Sequence, residues 1–219
     1  MIEELLPAAV VAVETRDDAT GAQLFPEEEL VIGRAVEKRR REFTTARMCA
    51  RAALEQLGFP AAPILSGERG EPLWPTGVVG SITHCKGYRA CAVAHSGQIV
   101  TVGIDAEPNA PLPPGLLGDI ARPEELPSLR RLQAELPEVC WERLIFSAKE
   151  SVYKAWFPLA KSWLGFEDAV LEFEPRARTF TARLLVAGPQ INGDALRGFA
   201  GSWLVREGII VTAIAVGSA

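Results

Sequence analysis

Three strand-type stretches, 78–84, 90–95 and 99–105, are separated only by turns at Gly87-Tyr88 and Ser96-Gly97. A parallel crossover needs a dozen or more residues, so neighbours this close in sequence must run antiparallel. The same pattern recurs near the C-terminus, where 169–173, 179–186, 202–206 and 209–216 are of strand type and Arg206-Glu207-Gly208 fits a hairpin turn. Helical sequence precedes each run. Pro26 followed by Glu27, Glu28 and Glu29 is a strong helix start, because proline suits the first helical position and acids suit the positive end of the dipole. The helical pattern continues, with a break, to Leu57, where Gly58 and Pro60 stop it. Within it Phe43, Ala46, Ala50, Ala53, Leu54 and Leu57 recur at helical spacing and are expected in the core, while Arg40, Arg47 and Arg51 lie along one polar stripe. A second amphipathic helix spans about 141–156. Leu144, Ile145, Ala148, Val152 and Ala155 form its apolar face, Ser147, Glu150 and Lys154 the opposite one, and Pro158 is expected to end it.

A strand at 8–13 and a proline-rich connection at 108–118 complete the outline. Helix followed by a small meander, twice, predicts an α+β protein of two similar lobes, 1–104 and 105–219. Each lobe is a small antiparallel sheet packed with helix, the pair related by an approximate two-fold axis.

With 48% hydrophobic residues in 219, the chain can bury a substantial core. A net charge of −5 argues against nucleic acid as a partner. The basic run Lys38-Arg39-Arg40-Arg41, followed by Arg47 and Arg51, suggests a small anionic ligand more than a duplex. The N-terminus has no signal-peptide pattern, and the apolar tail 209–216 is too short to span a bilayer. Cys49, Cys85, Cys91 and Cys140 fit no metal or redox spacing and read as reduced thiols, and only His84 and His95 are available to zinc. A cytoplasmic protein without a membrane partner is expected.

Five short constellations could carry chemistry. Asp105 and Glu107, two apart at the end of a strand-like run, point to one side of a sheet. They suit a hard divalent cation or, equally on spacing alone, a solvated strand end. Glu150 and Lys154, four apart, read as a surface ion pair worth about 0.3–0.5 kcal/mol or as a metal carboxylate beside a phosphate-neutralising lysine. Thr83-His84 at a strand end can donate hydrogen bonds to phosphate. Arg47 in the basic stripe can hold phosphate bidentately. Gly70-Glu71-Pro72 is a rigid turn whose backbone can meet a base such as adenine.

Taken in order, these pieces carry more information than any one of them. Arg47 with Cys49-Ala50-Arg51, Gly70-Glu71-Pro72, Ser81-Ile82-Thr83-His84-Cys85, Gly103-Ile104-Asp105-Ala106-Glu107 and Lys149-Glu150-Ser151-Val152-Tyr153-Lys154-Ala155-Trp156, spread over 38–170, resemble the surfactin- and enterobactin-type 4′-phosphopantetheinyl transferases. The resemblance implies the two-lobed fold with coenzyme A in the cleft. It also implies Mg²⁺ (or Mn²⁺) on Asp105, Glu107 and Glu150, and Lys154 on the phosphates. Arg39, Arg47 and His84 would grip the 3′-phosphate, Gly70, Glu71 and Pro72 would line the adenine site with Thr83 nearby, and Glu150 would be the base for the carrier serine. The catalytic residues it implies are therefore Glu150, Asp105 and Lys154. It further implies a monomer that acts on apo carrier proteins of fatty-acid, polyketide or non-ribosomal peptide synthases. Two departures are Ala106, where a larger aliphatic residue is common, and Thr83 in place of serine. Phe157, Trp163 and Phe166, just after the catalytic helix, are expected in the core. A Mg²⁺-dependent coenzyme A or nucleotide diphosphatase would use the same carboxylates, whereas a binding module built on the basic stripe would not need them.

Overall fold

The helical run that starts at Pro26 is two helices. α1 (Pro26–Ile32) and α2 (Glu37–Gln56) are separated at Gly33. Glu28, in the first turn of α1, accepts the Phe25 amide at 3.0 Å, the reciprocal contact expected at a helix start. The computed structural model describes residues 1–191 and 193–218. The remaining elements are β1 (Val10–Thr15), β2 (Val78–Cys85), β3 (Tyr88–His95), β4 (Ile99–Pro108), α3 (Leu117–Ile120), α4 (Leu126–Glu135), α5 (Trp141–Ala160), β5 (Ala169–Glu174), β6 (Thr179–Leu184), β7 (Gln190–Ile191), β8 (Asp194–Ala195), β9 (Gly198–Arg206) and β10 (Ile209–Gly217). The class is α+β, with antiparallel pairing throughout the described ladders. No helix among the described residues is long and apolar enough to cross a membrane.

β2 and β3 pair through their tight turn as expected, but β4 does not extend their meander. β1 occupies the other edge of β3, so the first sheet is closed in the order β1-β3-β2. With both edges of β3 taken, β4 joins β10 in a five-stranded sheet of order β4-β10-β9-β6-β5. β9 and β10 meet at the expected turn, where Glu207 and Gly208 both take positive φ (51° and 74°), as a two-residue hairpin loop requires.

The layers follow from strand alternation. On β3, Cys91 and Val93 pack against Cys49, Ala50, Ala53 and Leu54 of α2. Ala90, Ala92 and Ala94 face Val102, Ile104 and Ala106 of β4 and Val211 and Ala213 of β10. On the far side of the five-stranded sheet, Ile210 and Ile214 pack with Leu144, Ala148, Val152 and Ala155 of α5. The order is α2, three-stranded sheet, five-stranded sheet, α5.

Two expectations about α5 need correction. Pro158 lies inside the helix, which continues to Ala160. A proline here removes one N–H bond and crowds the carbonyl of Lys154, but the next turn is still held by the Lys161 amide on the Phe157 carbonyl at 2.9 Å. Ser147 is fully buried rather than sharing a polar face with Glu150 and Lys154. Its hydroxyl and that of Ser151 lie 3.0 and 2.6 Å from Thr212 Oγ1, because α5 crosses the sheet on that side.

The crossing is tight at Gly103. A Cβ there would run into the Ser151 carbonyl oxygen and lie 2.7 Å from the Ala155 nitrogen. Gly103→Ala is therefore expected to force α5 off β4 and cost about 1–3 kcal/mol, read as a lowered urea midpoint. An unchanged midpoint would show that the helix can shift freely.

Candidate active site

A cleft of about 500 Å³ opens between the loop 69–74, β2 and α5. Arg69, Gly70, Glu71 and Pro72 line one wall, and Glu150, Tyr153, Lys154, Phe157 and Lys161 the other. Two sequence motifs nearly eighty residues apart thus share one cavity.

The loop wall is held from beneath. Arg47 Nε donates to the Ile64 carbonyl at 2.8 Å, and Glu28 accepts the Ile64 amide at 2.9 Å. Arg47 Nη2 reaches Ser66 Oγ at 3.3 Å, and Ser66 bridges to Pro72. Gly70 has φ +85°, which closes the turn. The basic stripe expected on α2 is accordingly not a solvated face. Arg40 pairs with Glu29, and Arg51 pairs with the buried Glu28 at 2.9 Å. Arg47 is buried over the Phe43 ring, and burial lowers its pKa to about 10.

On the α5 wall, Lys154 does not pair with Glu150 as helical spacing suggested. Its Nζ donates to Asp105 Oδ1 at 2.7 Å and to the Ile104 carbonyl at 3.1 Å. Asp105 is buried towards the end of β4, and its Oδ2 has no hydrogen-bond partner among the described residues. Glu107, one pleat further on the same side, is held by Arg143 at 2.9 Å. Glu150 appears in no hydrogen bond or ion pair among the described residues. Burial and then the Asp105 charge raise the pKa of both Glu107 and Glu150, opposed by Arg143 at the first and Lys154 at the second.

Among the described residues, no three His, Cys, Asp or Glu side chains stand close enough to form a ready-made metal cage. Asp105 nonetheless lies within electrostatic reach of both glutamates. An all-oxygen donor set with one buried, unpartnered oxygen is suited to a hard divalent cation.

Of the expected site residues only Gly70, Glu71, Pro72, Glu150 and Lys154 line the cleft, whereas Arg47, Asp105, Glu107, Arg39, Thr83 and His84 lie behind or beside it. Thr83 is buried, its hydroxyl 3.3 Å from Asp105 Oδ1. His84 Nε2 lies 2.5 Å from Arg39 Nη1, and burial followed by the Arg39 charge lowers its pKa. Arg39 and His84 are therefore a contacting pair at the outer end of β2.

Three lining residues were not singled out in sequence. Lys161 went unnoticed because the helix was expected to stop at Pro158. Tyr153 stood inside a recognised motif, but its spacing has no special meaning. Trp74 lines the cleft with its Nε1 on the Gly80 carbonyl at 3.0 Å. Of the aromatics expected in the core, Phe157 is buried as expected and also lines the cleft, Phe166 packs on the main core, and Trp163 is exposed beside Tyr153. The buried thiols are inert, Cys49 and Cys85 being pushed up to about 11 and about 12 by burial.

Glu150, whose pKa burial and Asp105 raise, shares a cavity with Lys154 and a loop wall bearing a glycine turn, the setting of an enzyme of anionic-ligand chemistry. The chain belongs to the 4′-phosphopantetheinyl transferase superfamily. The superfamily description matches residues 101–200, and the description of a 4′-phosphopantetheinyl transferase N-terminal domain matches residues 27–94. The chain is 53% identical to the 4′-phosphopantetheinyl transferase Svp of Streptomyces mobaraensis, covering 99% of this chain and 89% of that protein. It is 46% identical to the transferase PptT of Mycobacterium tuberculosis, covering 98% and 97%. Enterobactin synthase component D of Salmonella typhi is 35% identical over 60% of this chain and 54% of that protein.

Proposed function

We propose that this enzyme transfers the phosphopantetheine arm of coenzyme A to a carrier-protein serine in the cleft between the loop 69–74 and α5, releasing 3′,5′-adenosine diphosphate. One observation carries the reading: Gly70, Glu71 and Pro72 face Glu150 and Lys154 across one cavity. A nucleotide end and a reacting end can be served together there. Asp105, Glu107 and Glu150 would hold Mg²⁺ or Mn²⁺, which supplies charge neutralisation of the diphosphate when bound. Lys154 adds a cation to the same end, and Arg69 and Lys161 supply two more along the walls. The incoming serine supplies the nucleophile, so the chain needs none of its own. Glu150 takes the serine proton as the new Oγ–P bond forms and the P–O bond to the leaving nucleotide breaks. The two-lobe division at 1–104 and 105–219, with an approximate two-fold relation, belongs to the same proposal. Two sheets, each with its own long helix, support two lobes, although β4 (Ile99–Pro108), which a division at 104 would cut, pairs with β10 in the second sheet. Carrier domains of fatty-acid, polyketide or peptide synthases are the proposed partners, and a cytoplasmic monomer the proposed form.

The test is intact-mass spectrometry of an apo carrier protein incubated with the enzyme, coenzyme A and Mg²⁺, with and without chelator. A chelator-sensitive gain of one phosphopantetheine arm is expected. Coenzyme A hydrolysis without any gain would replace the transferase reading with a diphosphatase.

Arg39 and His84 are proposed to take the 3′-phosphate, with Arg47 acting through the loop it supports. Burial and then the Arg39 charge lower the His84 pKa, and a bound phosphate would raise it again. Binding then takes up a proton. The affinity gain is full below the free-state pKa and is lost as pH rises through the bound-state value. Calorimetry in buffers of different ionisation enthalpy should show proton uptake that His84→Gln removes. Equal uptake in that variant would exclude His84 from the phosphate site.

A further inference from the structure

β2 and β4 lie side by side without a backbone ladder, and two hydroxyls stand in for it. Ser81 Oγ accepts the Ile104 amide at 3.1 Å, and Thr83 Oγ1 accepts the Ala106 amide at 2.9 Å. The two residues differ in one respect. Ser81 touches only backbone, whereas Thr83 Oγ1 also lies 3.3 Å from Asp105 Oδ1. That same oxygen receives Lys154 Nζ at 2.7 Å. With its lone pairs engaged by the Ala106 N–H, the Thr83 hydroxyl has its proton free to point at the carboxylate. Asp105 is thus held through Oδ1 from two sides, by a strand hydroxyl and a helix ammonium, and its buried Oδ2 has no hydrogen-bond partner among the described residues.

We infer that Thr83 is a positioning residue for the metal site, fixing the Asp105 carboxylate so that Oδ2 is presented to the cation. The inference rests on the reading of Asp105 as a metal ligand. Thr83 is 3% exposed, and its hydroxyl is engaged by the Ala106 amide and the Asp105 carboxylate. Its geometry is that of an outer-shell partner that orients a ligating carboxylate, and loss of such a partner costs about 10–100-fold in metal affinity. The chemistry needs a hydroxyl and not the methyl, so serine serves and valine does not.

The experiment titrates Mg²⁺ calorimetrically into the full-length enzyme saturated with coenzyme A, alongside melting curves and steady-state KM for coenzyme A. Thr83→Val, Thr83→Ser, Ser81→Ala and Asp105→Ala are compared. The expected result is Mg²⁺ affinity reduced about tenfold in Thr83→Val, near normal in Thr83→Ser, with KM for coenzyme A at saturating Mg²⁺ changed less than about twofold. Ser81→Ala, which loses a backbone bond of the same kind, should lower the melting temperature without moving Mg²⁺ affinity. A raised KM with unchanged Mg²⁺ affinity in Thr83→Val overturns the inference in favour of a nucleotide contact. Should the valine variant not fold, Thr83→Ser decides: a Mg²⁺ affinity loss there shows that the hydroxyl is not the operative group. Unchanged Mg²⁺ affinity in Asp105→Ala removes the metal-ligand reading itself, and the inference with it. Normal affinity in Thr83→Val with loss in Asp105→Ala overturns the positioning role alone.

Discussion

Glu150→Gln is expected to lower carrier-protein transfer by on the order of a thousandfold, because it removes both a proposed metal oxygen and the proposed base for the serine hydroxyl. The fold should not suffer. Glu150 appears in no hydrogen bond or ion pair among the described residues, and burial and Asp105 both oppose its ionisation. A carboxyl with a raised folded-state pKa binds more protons folded than unfolded. Its contribution to stability therefore falls as pH rises above the ordinary glutamate value. The neutral amide escapes that penalty, so the metal-free Glu150→Gln protein should melt at the same temperature as the parent near neutral pH, or higher. Transfer is read by mass gain on the carrier and stability by calorimetry. A variant that keeps full activity would remove Glu150 from the chemistry, whereas a large drop in melting temperature would mean that the residue mainly holds the fold. Stability gained where activity is lost is the usual signature of a site built at some cost to the fold.

Glu125→Ala is expected to have the largest effect on stability, lowering the unfolding free energy by about 3–5 kcal/mol. Glu125 and Lys149 are an almost fully buried ion pair at 2.9 Å. The lysine also donates to the Phe166 and Ala169 carbonyls at 2.8 and 3.1 Å. The glutamate also accepts the amides of Leu171 and Arg122 at 2.6 and 2.7 Å. One knot thereby ties the start of α4, the middle of α5 and the entry to β5. Removing Glu125 leaves a buried ammonium on carbonyls alone and leaves two amides unpaired, and burial already presses the Lys149 pKa downward. Lys149→Met should destabilise comparably, and the double variant should cost clearly less than the sum of the two. Urea unfolding of the three variants checks this. Strict additivity would mean that the two side chains act independently.

Lys149 shows what sequence reading misses. It stands next to Glu150 in the motif that resembles the transferases, yet it points into the core while Glu150 faces the cleft. Adjacent helical residues lie about 100° apart, and only the position of the neighbouring layers says which direction is solvent. The Asp105 and Glu107 pair was legible, because strand alternation puts both carboxylates on one side whatever surrounds them. The partner of Lys154 was not. Helical spacing nominates Glu150, but the nearer carboxylate belongs to a strand forty-nine residues earlier. Arg47 was legible as a phosphate-type residue and is in fact occupied by the backbone of the loop it supports. Sequence alone had no means of showing that Ile64 would need both a donor and an acceptor there.

The residues alone therefore determined the α+β class, the antiparallel pairing of close-spaced strands, the helix starts, the family and the order of its motifs, since each depends on local geometry or on patterns within a short window. The tertiary structure decided the rest: that β4 leaves β3 for β10, that hydroxyls on β2 bridge the gap, that α5 runs through Pro158, and which charged groups meet. Those outcomes depend on competition for strand edges and on which side chains are brought within a few ångströms by distant parts of the chain, and no short window of sequence contains that information.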